Sequence, residues 1–123
     1  MKVRPTEREI DKRLTEAKRV LKEKDLLFAD PNKAVGEIDD LGLGDSSELR
    51  PLLQVLLEEI SRVDYTGSRP PQRSYEPSIA NCELWAFSWT STVLGKEMYL
   101  KFALKDGRFY LVSIHQDRPQ KNG

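Results

Sequence analysis

The chain has 123 residues with a single histidine and a single cysteine, and its 20 Lys/Arg offset its 20 Asp/Glu to a formal charge of zero. That length suits one domain with one core, and a composition that is 38% hydrophobic and 33% charged is too apolar for a disordered chain. With Cys82 and His115 alone of their kinds, an internal disulfide and a zinc-finger type of metal site lack their ligands, and zero charge excludes a binder that depends on a uniformly basic surface.

Thr6 followed by Glu9 is a capping-box pattern, and Ile10, Leu14, Ala17 and Leu21 then share one helical face, which predicts an amphipathic helix over about 6–23. Asp30 before Pro31 reads as an N-cap with proline at the first helical position. Val35, Ile38 and Leu41 follow at helical spacing, and Gly42 closes a short second helix. Leu49, Leu52, Leu53, Leu56, Leu57 and Ile60 give the cleanest helical period in the chain. Pro51 puts the start of this third, core-forming helix near Arg50.

From Tyr65 to Asn81 the segment YTGSRPPQRSYEPSIAN has no periodicity and contains Gly67, Pro70, Pro71 and Pro77, so it reads as a long irregular connection. Beyond it ELWAFSW, EMYLKFAL and RFYLVSIH are strand-like and separated by glycine-containing turns. Three helices followed by strands predict an α+β domain over 1–123, its N-terminal helices packed on a C-terminal antiparallel sheet.

In EMYLKFAL the residues Met98, Leu100, Phe102 and Leu104 alternate with Tyr99, Lys101 and Ala103, so the first set is expected to be buried. The turn decides which face of the last strand joins them. A two-residue Asp106-Gly107 turn would pair Lys105 with Arg108 and put His115 on the buried face beside Met98. A three-residue Lys105-Asp106-Gly107 loop pairs Phe102 with Tyr110, Leu100 with Val112 and Met98 with Ile114, giving one continuous apolar face. The longer loop is therefore the expectation, with Tyr99 opposite Ser113 and His115 diagonal to it on the polar face.

Tyr99, Lys101 and His115 are the residue types that metal-independent RNA cleavage needs. Histidine carries protons near neutral pH, lysine neutralises a phosphate, and tyrosine positions or protonates. The expected reaction is transphosphorylation to a 2′,3′-cyclic phosphate. Charge distribution agrees, since Met1–Asp64 holds 12 Lys/Arg against 15 Asp/Glu, whereas Tyr65–Gly123 holds 8 against 5. The sheet half is thus the more basic.

The succession DDLGLGDSSEL, VDY, ELWAF, EMYLKF and LVSIH, over roughly 34–115, resembles the motility quorum-sensing regulator (MqsR) family of toxins. The resemblance implies a RelE-like fold and an mRNA interferase, the toxin of a toxin–antitoxin pair, acting on RNA with or without the ribosome and neutralised by a protein antitoxin. It implies active-site roles for Tyr99 and for His115, which stands where the family has another basic residue, and it matches Lys101 to the motif lysine. Two family positions are vacant, since Ala86 stands for a glutamine and Gly67 for a lysine, and Arg69 or Arg73 would fill one of the two roles from the loop.

Each residue also has an ordinary reading. Tyr99 and Lys101 at alternate positions suit any solvated strand face, and a lone histidine at a strand end is commonly a surface residue. Trp85 either stacks on a base or packs under the helices. Arg118 either contacts phosphate or belongs to a solvated tail. RNA contacts are thus expected from Arg69, Arg73, Trp85 and Arg118, no metal or cofactor motif is present, and a catalytically inactive RNA- or protein-binding domain is the alternative function. Without an apolar run of about 20 residues or a signal-peptide core, the expected location is cytoplasmic, away from membranes.

Overall fold

In the computed structural model, which describes residues 3–117, helix α1 spans Glu7–Glu23. The Thr6 hydroxyl accepts the Glu9 N–H at 3.2 Å, as its position predicts. The Glu9 carboxylate does not close the box; it pairs with Arg4 instead. Helix α2 (Pro31–Asp40) starts on Asp30, whose carboxylate accepts from Asn32 and Lys33 N–H. It ends in a Schellman motif. Leu43 N–H donates to Ile38 C=O and Gly42 N–H to Asp39 C=O, with Gly42 at φ +76°, where a Cβ would be strained. Helix α3 (Leu49–Glu59) follows a 3₁₀ turn over Ser46–Glu48, with Pro51 in its first turn, where no helical N–H partner is lost.

Helices α1 and α3 cover one face of a four-stranded sheet ordered β1-β4-β3-β2, made of β1 (Leu26–Phe28), β2 (Trp85–Ser91), β3 (Lys96–Lys105) and β4 (Arg108–Gln116), and α2 lies along β4. Strands β2, β3 and β4 are antiparallel, but β1 runs parallel to β4. The sheet is therefore mixed, and one strand comes from between the first two helices, which corrects the expected all-antiparallel C-terminal sheet. Leu26-Leu27-Phe28 is too short to show a period of two, and all three are half-buried, so nothing in the sequence separates them from a loop. The main core joins Ile10, Leu14 and Leu21 of α1 and Leu53, Leu56 and Leu57 of α3 to Phe87, Met98, Leu100 and Phe102.

The β3–β4 turn is the two-residue Asp106-Gly107, with Lys105 paired to Arg108 and φ of +52° and +68°. These angles are those of a type I′ turn, whose twist suits a hairpin and which favours Asp-Gly. The expected three-residue loop is not formed. A register shift within the hairpin restores the polar face: Phe102 pairs with Leu111 but Lys101 with Ser113, so Val112 is an extra residue in β4. The apolar sequence explains the bulge, because Phe109, Leu111 and Ile114 are all buried and strict alternation cannot bury 111 and 114 together. Leu100 consequently pairs with Ile114, Met98 with Gln116, and Tyr99 directly with His115.

The connection expected to be irregular is partly tied to the sheet. Tyr65 bridges Phe87 along the outer edge of β2, and Arg73 bridges Glu83. A 3₁₀ turn at Pro77–Ile79 follows. Ile79 and Leu84 then join Ala29 and Ala103 in a second, smaller core, against which Tyr110 and Val112 pack. This covers part of the second sheet face beside the hairpin turn, while the face beyond Ala103 carries Lys101 and Tyr99.

Candidate functional site

β-Alternation puts Tyr99 and Lys101 on the face away from Met98 and Leu100, and the Val112 bulge brings Ser113 and His115 onto the same face. Tyr99 and His115 form a cross-strand stack with ring centroids 5.0 Å apart and planes 24° from parallel. The Lys101 ammonium lies 6.0 Å from the Tyr99 ring centroid. The three catalytic candidates are thus one cluster, closer than the expected diagonal arrangement.

Protonation follows from the contacts. His115 Nδ1 is 2.9 Å from the Gln116 carbonyl, which only accepts, so Nδ1 carries the hydrogen and Nε2 of the neutral ring is the proton acceptor. Burial, helped by the nearby Lys33 ammonium, holds Lys101 below the ordinary lysine range. Burial, with the Asp117 carboxylate second, pushes the Tyr99 phenol up, so its hydroxyl stays a donor at neutral pH.

Two further residues reach this cluster from α2, and sequence reasoning missed both. Ser113, directly opposite Lys101, donates to Glu37 at 2.7 Å, and Lys33 is the like-charged neighbour of Lys101. Lys33 and Glu37 are four apart and so share a helical face. That spacing is legible in the sequence, but what the face meets depends on α2 lying along β4. Toward β2 the tyrosine row continues through Ser88, which pairs with Tyr99, to Thr66, whose hydroxyl is 3.4 Å from that of Ser88.

The remaining candidates stand elsewhere. Trp85 is 2% exposed, on the helix face, with the Arg13 guanidinium 5.8 Å from its ring centroid, so it packs under the helices and presents no ring to the tyrosine face. Arg69 lies 5.1 Å from the Tyr65 ring centroid and donates to the Pro5 carbonyl at 3.0 Å, which commits it to holding the connection against the chain's start. Arg73 is exposed on that connection. Arg118 lies outside the described residues.

The two vacant family positions have clear surroundings. Ala86 pairs with Lys101 on the same face and is 4% exposed, so it offers no polar group there. At Gly67 a Cβ would sit 2.6 Å from the Tyr65 hydroxyl, whose own bond to the Ser68 carbonyl holds the ring in place. A lysine cannot enter without displacing that ring. Among the described residues no three His, Cys, Asp or Glu gather as a metal-binding group.

No family model matches this chain. Neither the curated proteins nor the solved structures contain a match.

Proposed function

We propose that this chain is a metal-independent endoribonuclease of RelE-like fold, an mRNA interferase that forms the toxin half of a toxin–antitoxin pair. The observation that carries the proposal is the stacked Tyr99–His115 pair with Lys101 beside it on a sheet face that the second core leaves free. The resemblance of EMYLKF and LVSIH to the MqsR toxins supports the same reading.

In the proposed reaction His115 Nε2 takes the proton of a ribose 2′-hydroxyl. The 2′-oxygen forms a bond to the adjacent phosphorus, and the bond from phosphorus to the 5′-oxygen breaks. Lys101 neutralises the phosphate oxygens, and its lowered affinity for its proton suits it to protonate the leaving 5′-oxygen. The Tyr99 hydroxyl, kept protonated, donates to the phosphate and its ring fixes the imidazole. The products are a 2′,3′-cyclic phosphate and a 5′-hydroxyl.

Purified protein is expected to cut single-stranded RNA in the presence of a chelator, and His115→Ala to lower the rate by about 10²-fold or more. Unchanged cleavage by that variant removes His115 from the mechanism. Induced expression should arrest growth, with relief by the antitoxin encoded beside it.

One observation favours a second reading, a catalytically inactive RNA- or protein-binding domain. Ala86 and Gly67 leave the face without two polar groups that the family resemblance would supply, and Tyr65 closes the space at Gly67. Salt-dependent RNA binding without cleavage at high protein concentration would select it.

A further inference from the structure

Where α2 ends and β4 finishes, Asp40, Leu41, Lys96, His115 and Gln116 line a cavity of about 350 Å³. That volume is at the lower end of small-ligand sites and accommodates one nucleotide-sized group. By alternation Lys96 and Gln116 leave their strands on the helix side, whereas His115 leaves on the tyrosine side, so the cavity wraps the end of the sheet. His115 therefore belongs both to this cavity and to the ring stack with Tyr99. Asp40 and Lys96 contribute one charge of each sign, and among the described residues no ion pair takes up either of them.

We propose that this cavity is the subsite for the nucleotide adjoining the scissile phosphate, and that it selects an amino-bearing base, adenine, cytosine or guanine, over uracil. The proposal rests on the RNA-cleaving reading of the tyrosine face. The Lys96 ammonium meets the phosphate of that nucleotide. The Asp40 carboxylate, which only accepts, takes N–H groups from the amino edge of the base, and Leu41 supplies an apolar wall for the ring. Uracil has no amino group, and its two carbonyls flank its one N–H, so it offers that carboxylate the poorest match of the four.

Equilibrium titration of the full chain with 3′-AMP, 3′-CMP, 3′-GMP and 3′-UMP tests this without requiring turnover. The three amino-bearing nucleotides are expected to bind about tenfold more tightly than 3′-UMP, the difference one charge-assisted hydrogen bond makes. Asp40→Ala should erase that preference, and Lys96→Ala should weaken all four by about tenfold, with far-ultraviolet circular dichroism confirming that both variants fold. In cleavage of RNA oligonucleotides of mixed sequence, Asp40→Ala should flatten base preference at one position beside the cut while retaining far more activity than His115→Ala. Equal binding of the four nucleotides, or a preference that survives Asp40→Ala, overturns the subsite even if RNA is cut. Preference lost in Asp40→Ala by a protein that cuts no RNA supports the subsite and overturns the nuclease.

Discussion

Tyr99 and His115 divide the work of the proposed site between a ring and a proton. Because burial keeps the Tyr99 hydroxyl protonated, Tyr99→Phe preserves the stack and removes one donor, and we expect about a tenfold loss of cleavage rate, well short of the loss in His115→Ala. An equal loss in both variants, measured on one RNA substrate, would instead place the hydroxyl in proton transfer. Glu59 shows a carboxylate used for structure. It accepts from Trp89 Nε1 at 3.1 Å, Ser91 Oγ at 2.7 Å and the Thr92 and Val93 N–H groups at 2.8 and 3.0 Å. Burial opposes its ionisation, but these four donors together outweigh it and hold its pKa below the ordinary carboxylate range. Folding therefore gains stability from Glu59 above that range and loses it as pH falls through the depressed folded-state value. Glu59→Ala should cost about 2–3 kcal/mol by urea unfolding at neutral pH, since donors are left without a partner. The deficit relative to the parent should shrink in acid.

The β3–β4 hairpin shows how an element encodes a face. Asp-Gly chemistry sets a two-residue turn, and the extra residue at Val112 returns Tyr99, Lys101, Ser113 and His115 to one side. Deleting Val112 is expected to give continuous pairing with Lys101 still opposite Ser113 and Tyr99 still opposite His115, so cleavage should persist. A deletion variant that folds but no longer cuts RNA would show that the site needs the bulge itself and not only the pairing of Tyr99 with His115. The same hairpin shows what the sequence made legible. Leucine periodicity announced α3, cap residues announced α1 and α2, and alternation in EMYLKFAL announced the buried face of β3. The grouping of Tyr99, Lys101 and His115 was also readable, although through the wrong turn, because a three-residue loop and a two-residue turn with a bulge leave the same side-chain parity beyond Val112; nearer the turn the faces are the reverse of those expected, with Phe109 and Leu111 in the main core and Tyr110 against the second. Strand β1 was not readable, since three half-buried residues carry no period. Lys33 and Glu37 were missed for another reason: their role depends on what α2 packs against, and helix periodicity holds no information about a partner surface.

On the scale of the whole molecule, the chain's start and the long connection are held together. Arg4 binds both Glu9 of α1 and Glu83 at the approach to β2, which raises its pKa further above the normal guanidinium range. Arg69 returns a hydrogen bond to Pro5. Arg4→Ala is therefore expected to leave the global unfolding midpoint almost unchanged, because exposed ion pairs contribute little. It should accelerate amide exchange over residues 72–84, where Ser74 and Leu84 N–H bond to Cys82 and Gln72 carbonyls. Uniform exchange rates in both proteins would mean that the small core around Ile79 holds this segment unaided.

The strand order also governs when the molecule comes into being. β4 lies between β1 and β3 in the sheet yet follows both in the chain. During synthesis β1 has no partner strand, and α1 and α3 have only part of the apolar surface they cover, until Arg108–Gln116 has emerged. His115 arrives in that same strand. A chain that has not yet emerged through β4 thus has neither a closed sheet nor the imidazole of the proposed cutting site.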